Sequence, residues 1–224
     1  MANKVKTKEE VRAENVEQSL SKTEQFYENH KGLIWGILAA VVLIWLLSLA
    51  YNKFIYQPKC AEAMEQAYPA ENAFQQGEYE VALNGDGNIL GFAQILEDYG
   101  TKAGKAMNLY AGLCELQLGN YESALDYLKK YKGKEPILAA RAKCCEGDAY
   151  VALENYDAAL AAYKKAVAVS DNAFAATYLL KEGLVYEKLG DKAAALDCYK
   201  TIKDKYPQSI EAYDIDKNIA ELGE

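Results

Sequence analysis

Charged and apolar positions are unevenly distributed along this chain, and the clearest feature is a stretch near the N-terminus that carries no charge. Residues 32–52, GLIWGILAAVVLIWLLSLAYN, form 21 consecutive uncharged residues between Lys31 and Lys53. A helix rises about 1.5 Å per residue, so this run spans roughly 30 Å, the hydrocarbon thickness of a bilayer. The pattern predicts a transmembrane signal anchor over 32–52, preceded by a short charged tail over 1–31 and followed by a larger domain over 53–224.

A cleaved signal peptide is the alternative for this segment, because Ser48-Leu49-Ala50 has the small residues of a cleavage site. Against it, the preceding charged segment is long, and the apolar run exceeds the roughly 7–15 residues of a signal peptide. The short tail holds six basic residues, which favours a cytoplasmic N-terminus, and long domains translocate largely regardless of charge. We therefore expect a single-pass protein whose larger domain lies outside the cytoplasm.

A pattern of small, aromatic and aliphatic residues recurs three times in the larger domain. The copies align on Gly112, Gly147 and Gly183, which are 35 and 36 residues apart. Glycine in the middle of a helix costs about 1 kcal/mol relative to alanine, so we expect two helices to approach closely at each of these positions. The small partners expected on the second helices are Ala124, Ala159 and Ala195. The turns between the two helices are expected at Gly119-Asn120, Glu154-Asn155 and Gly190-Asp191. Two prolines, Pro136 and Pro207, are expected to end second helices.

This period and pattern resemble the tetratricopeptide repeat (TPR), in which two antiparallel helices cross at small residues. The resemblance implies an all-α fold, a TPR α-solenoid, which follows the one N-terminal transmembrane helix predicted from the uncharged run. The full repeats are expected near 105–138, 140–173 and 176–208.

The expected solenoid has a degenerate repeat near 59–104 and a capping helix over 209–222. The degenerate repeat keeps the glycine, tyrosine and alanine spacing at its turn, and the Gly-rich loop Asn84–Asn88 then interrupts its second helix. Pro69 lies in its first helix, where a kink is expected. Ser209 is the expected N-cap of the final helix, which would cover the last apolar face of the solenoid.

Composition excludes several kinds of function. The charges of the tail cancel, so the formal net charge of −8 lies on the larger domain, and an acidic surface repels nucleic acid. Five cysteines are an odd number without a CxxC pair, and His30 is the only histidine, so we expect neither a disulfide framework nor a metal site. Without a base near a serine or cysteine, we expect no enzymatic activity and no cofactor.

The loop Asn84–Asn88 has oxygen-bearing side chains at alternate positions, a spacing that hints at calcium. An EF-hand loop would need an acidic residue at position 95, which is Ile95, and a plain turn is the favoured interpretation.

The remaining candidate site is the concave face that TPR domains build from the first helices of their repeats. Carboxylate-clamp members of the family hold a peptide C-terminus with Lys and Asn, where this chain has Leu109, Leu113 and Cys144, so that activity is expected to be absent. The face would suit an apolar or helical segment of a protein partner, unless another helix of the same chain covers it. Its candidate residues are Leu109, Leu113, Leu116, Arg141, Cys144, Asp148, Val151, Leu180, Leu184 and Glu187.

The layout of the chain is similar to the ancillary subunit of the bacterial SecYEG translocon. The segment ALNGDGNILGF, residues 82–92, and the later YAGLCELQLGNYESAL are similar to single-span TPR proteins of Bacteroidetes. The resemblance implies an inner-membrane protein with a periplasmic TPR domain and, as partners, translocon subunits, chaperones or exported chains. Two alternatives remain open, a scaffold of another envelope complex and an adaptor that sequesters a signalling protein.

Overall fold

The chain forms two compact units that divide between Pro58 and Lys59. A computed structural model describes residues 8–169 and 171–223, with side chains from residue 24, and these ranges contain helices and no strand. In the first unit, α1 runs without a break over Lys8–Tyr51, and a π-helical turn follows over Asn52–Tyr56. Every residue of the uncharged run is exposed, and the helix is long and apolar enough to cross a membrane by length and composition.

The second unit is a series of helices joined by short turns. The helices α5 and α6, α7 and α8, and α9 and α10 pack as consecutive pairs, and each pair also packs against the next. The series is α2 (Gln57–Gln75), α3 (Tyr79–Asn84), α4 (Phe92–Tyr99), a 3₁₀ turn (Gly100–Ala103), α5 (Ala106–Gln117), α6 (Tyr121–Lys130), α7 (Pro136–Ala152), α8 (Tyr156–Val169), α9 (Phe174–Leu189), α10 (Lys192–Lys205), a second 3₁₀ turn (Glu211–Tyr213) and α11 (Ile215–Gly223).

The turns inside the helix pairs share one hydrogen-bonding pattern. The amide N–H groups of Asn120, Asn155 and Asp191 each donate to the carbonyl five residues earlier, at 2.8–2.9 Å, as in a Schellman motif. Gly119 and Gly190 precede two of these amides with φ near +80°, whereas Glu154 takes the same left-handed conformation at φ +56°. The amide of Glu78, after Gly77, repeats the pattern at the end of α2, so the region before residue 92 begins with the same helix–turn geometry.

The aligned glycines make room for a large side chain, which corrects the expected role of the alanines. A Cβ on Gly147 would lie 2.4 Å from Cε1 of Tyr163, and one on Gly183 would lie 2.4 Å from Cε1 of Tyr199. In the first full repeat, the corresponding neighbour of Gly112 is the side chain of Leu128. Ala124, Ala159 and Ala195 are completely buried, but the atoms nearest the glycines come from residues four positions further along the second helix.

Two expected helix boundaries are wrong. Pro136 begins α7 and does not end α6, whose last residue is Lys130. The missing N–H of proline is harmless at the first position of a helix, where that group has no partner within the helix. At the C-terminal end, Ser209 caps only a 3₁₀ turn, in which its hydroxyl accepts from the amide of Ala212, and α11 starts at Ile215.

Candidate binding surface

The first helices of the three full repeats, α5, α7 and α9, carry two separate clefts. The first cleft, with a volume of about 230 Å³, lies where α5 and α7 meet the end of α2. The second cleft, of about 370 Å³, lies between α7 and α9 and includes residues of α8. Six of the ten predicted candidate residues line one cleft or the other: Leu109, Leu113 and Arg141 in the first, and Asp148, Val151 and Leu184 in the second.

The other four candidates line neither cleft. Cys144 is buried in the core between the second and third repeats, and Leu116 and Leu180 are half-buried against hydrophobic clusters. Glu187 is exposed and accepts a hydrogen bond from the hydroxyl of Tyr199. Cys144 therefore belongs to the core, whereas Glu187 remains on the surface outside the two clefts.

The wall of the first cleft is aromatic and aliphatic. Phe74 packs edge-on against Tyr110, with ring centroids 5.3 Å apart, and Tyr110 stacks on the fully buried Phe92 at 5.1 Å. Leu109 and Leu113 show only 4% and 8% of their surface, so they form the floor and belong largely to the core. Interlocked rings of this kind hold a cleft open in a fixed shape.

The second cleft contains a polar network centred on Asp148. The ammonium group of Lys181 donates to both carboxylate oxygens of Asp148 at 2.7 Å, and the hydroxyl of Tyr163 donates to one of them at 2.8 Å. The three residues come from α9, α7 and α8, so the network joins two neighbouring repeats.

The electrostatics of this network follow from burial and from the Asp148 charge. The pKa of Tyr163 is raised, first because the phenol is buried and then because the neighbouring carboxylate disfavours a phenolate. Burial alone would lower the pKa of Lys181, but nearby Cys144 and Asp148 outweigh it and the pKa is raised. Lys181 therefore stays charged and keeps its ion pair with Asp148.

Tyr163 and Lys181 are absent from the residues predicted for the face. Tyr163 occupies the same repeat position as Tyr199, and that position predicts a core residue. Nothing in the sequence indicates that the Tyr163 hydroxyl donates a hydrogen bond to a carboxylate. Lys181 follows Asp148 by 33 residues, close to one repeat, and this spacing is the signal that places the two on adjacent first helices.

The loop Asn84–Asn88 has the geometry of a turn. Oδ1 of Asp86 accepts from the amides of Ile89 and Asn88 at 3.0 and 2.8 Å, and these bonds lower the pKa of Asp86. Across the described part of the chain, no group of three or more His, Cys, Asp or Glu side chains is placed to hold a metal ion.

Four of the five cysteines are buried thiols. Desolvation raises the pKa of Cys114, Cys144 and Cys198 to about 12 and that of Cys145 to about 11. The reactive form of cysteine is the thiolate, so these four side chains behave as small apolar residues at neutral pH.

Comparisons with known proteins agree with this architecture. The tetratricopeptide repeat family model matches residues 92–136 and 146–210. Among solved structures, the crystal structure of MamA protein is 21% identical, covers 74% of this chain and 82% of that chain, and superimposes with a TM-score of 0.56. A second crystal structure of MamA, also 21% identical, covers 68% and 86% with a TM-score of 0.53.

At this level of identity the likeness to MamA concerns the fold alone. No curated protein matches the sequence. TPR arrays are protein–protein interaction modules. The chain is therefore an all-α tetratricopeptide-repeat solenoid with one long apolar helix near its N-terminus.

Proposed function

We propose that this chain is a membrane-anchored TPR module that binds protein partners through the face lined by the two clefts. The observation that carries the proposal is the pair of neighbouring clefts along α5, α7 and α9. Their rims expose large apolar side chains, Leu138 at 38% and Leu184 at 49%, on a framework fixed by helix packing. Exposed apolar side chains in a groove are what a partner segment buries on binding.

The anchor is the second part of the proposal. The uncharged run is apolar on every side of α1 and long enough to cross a membrane, so lipid is the environment that suits it. The basic tail supports a cytoplasmic N-terminus and a TPR domain in the periplasm of a bacterial cell. Buried, protonated thiols resist oxidation, so the four buried cysteines are compatible with that oxidising compartment.

Reporter fusions after Glu224 test the orientation. An alkaline phosphatase fused there should be active, because the enzyme folds only outside the cytoplasm, and a cytoplasm-only fluorescent reporter should be dark. The reverse pair of results would place the TPR domain in the cytoplasm and reject this part of the proposal.

The partners proposed are translocon subunits, periplasmic chaperones and exported chains, which the similarity in layout to the translocon's ancillary subunit supports. Crosslinking in intact cells followed by purification of the full chain tests this. Recovery of one fixed envelope complex instead would favour a scaffold, and recovery of a kinase or response regulator would favour an adaptor.

A matched pair of substitutions on α9 tests the surface. Leu184→Glu should reduce crosslinked partner at least tenfold, because it places a charge in the second cleft against an apolar partner. Leu189→Glu is the control, since Leu189 lies on the same helix with 48% exposure against 49% for Leu184 but outside the cleft. If both variants captured equal amounts of crosslinked partner and kept their helical signal, the binding site would have to lie outside this face.

A further inference from the structure

The first cleft has the size and chemistry of a pocket for one large apolar side chain. Its volume of about 230 Å³ falls below the roughly 300–1,000 Å³ typical of small-molecule sites. Apart from one residue, its lining is aromatic or aliphatic: Phe74, Ala106, Leu109, Tyr110, Leu113 and Leu138. The stacked rings of Phe92 and Tyr110 fix the wall in advance, so a guest loses little free energy to reordering.

The exception is Arg141, the one charged residue among the described residues that line this cleft. The sequence contains two arginines, Arg12 and Arg141, against 23 lysines. Arg141 is exposed, and within the part of the chain with described side chains no hydrogen bond or ion pair engages it. The second cleft differs, because both oxygens of Asp148 hold Lys181.

The electrostatic surroundings of Arg141 leave its guanidinium available. Glu71 raises the pKa of Tyr110 and Arg141 lowers it, so both charges lie near that phenol. No ion pair within 4 Å joins Arg141 to Glu71. Charges on the acidic domain that lie beyond about 8–10 Å are screened at physiological salt. Arg141 is therefore the charged residue that lines the cleft itself, and Glu71 is an acidic charge near the same phenol.

Resting on the function proposed above, we propose that the first cleft binds an internal partner segment that carries a large apolar side chain followed within one helical turn by Asp or Glu. The apolar side chain fills the cleft, and the carboxylate accepts two hydrogen bonds from the guanidinium of Arg141. Arginine suits this task because its fork of donors matches both carboxylate oxygens. A free C-terminus is not the ligand, since Leu109, Leu113 and Cys144 offer no polar clamp around a terminal carboxylate.

An array of twelve-residue peptides, each prepared both with blocked ends and with a free C-terminus, tests the proposal with the full-length chain in mild detergent. Each peptide holds Phe, Leu or Ala, followed one to four positions later by Asp or by Asn, in a Gly-Ser background. Binding should require both Phe or Leu and Asp, and Asp→Asn should weaken it at least about tenfold, since a hydrogen bond to a charged group contributes about 1.5–3 kcal/mol and about 1.4 kcal/mol is a factor of ten.

Variants of the chain assign the effect to Arg141. Arg141→Gln should abolish the preference for Asp over Asn but keep the preference for Phe or Leu over Ala. Arg141→Lys should keep a weaker preference for Asp, because an ammonium group cannot reproduce the bidentate geometry. Lys188→Gln, in the second cleft, should change neither preference.

Three results would overturn the proposal. One is an Asp preference that survives Arg141→Gln in protein with an unchanged thermal melt. Another is binding only of peptides with a free C-terminus, which would mean terminal capture. A third is no binding to any peptide while partner crosslinking still depends on Leu184, which would leave the proposed function intact and reject this assignment of the first cleft.

Discussion

Ala159→Trp is expected to lower the free energy of unfolding by about 3 kcal/mol, the upper end of the range for overpacked cores. Ala159 is completely buried in the cluster that holds Ala140, Cys144 and Tyr163 between the second and third repeats. An indole at this position must displace the ring of Tyr163, which is itself fixed by its hydrogen bond to Asp148. Thermal and urea unfolding of the full-length chain, followed by circular dichroism, measures the loss.

Ala161→Trp is the matched control for this substitution. Ala161 lies two residues away on α8 and faces solvent, so its replacement should change the free energy of unfolding by less than about 0.5 kcal/mol. Equal melting temperatures for the Ala159 variant and the wild type would contradict the repeat register. A large loss in both variants would mean that α8 does not tolerate tryptophan at any position.

Replacing Val42 and Leu43 by arginine is expected to abolish retention in the membrane. Both residues lie at the centre of the uncharged run and are exposed along α1. An arginine at the centre of a spanning helix costs about 2.5–3.5 kcal/mol on insertion scales, so the pair costs about 5–7 kcal/mol. The full-length wild type should stay in the pellet after alkaline carbonate washing, and the double variant should appear in the supernatant.

The apolar exchange Val42→Ile with Leu43→Ile provides the control and should leave the protein in the pellet. Retention of the double arginine variant would mean that another surface attaches the chain to the membrane. Release of the wild type with a new N-terminus at Tyr51 would show that Ser48-Leu49-Ala50 is a cleavage site.

The fold could be predicted from the sequence because each repeat has turn residues and small residues at matching positions. The turns fall at intervals of 35 and 36 residues, and Gly119 and Gly190 both have the left-handed φ that their turns require. The uncharged run gives the long apolar helix by length and composition alone. Glu154 is the exception among the turns, since the alignment places it there even though its residue type does not favour that conformation.

The candidate surface could be predicted only in part, because periodicity does not determine which side of a first helix remains open. Leu113 and Leu184 occupy equivalent places in the predicted face, yet one is 8% exposed and the other 49%. The difference arises from the neighbours: Leu113, on the floor of the first cleft, shares a core cluster with Ala142 and Cys145 of the next repeat, whereas Leu184 lies exposed in the second cleft. The hydrogen bond from Tyr163 to Asp148 likewise depends on packing between α8 and α7, which no local pattern encodes.

The ion pair between Asp148 and Lys181 makes the solenoid mechanically uneven along its length. Repeat arrays deform by small changes between neighbouring units, and this charge-assisted pair resists both separation and sliding of α7 and α9. Between α5 and α7 the described contacts are aliphatic, through Leu113, Ala142 and Cys145, and such contacts have no preferred direction. The array should therefore resist sliding more strongly between its second and third full repeats than between its first and second, while the stacked rings keep the wall of the first cleft fixed.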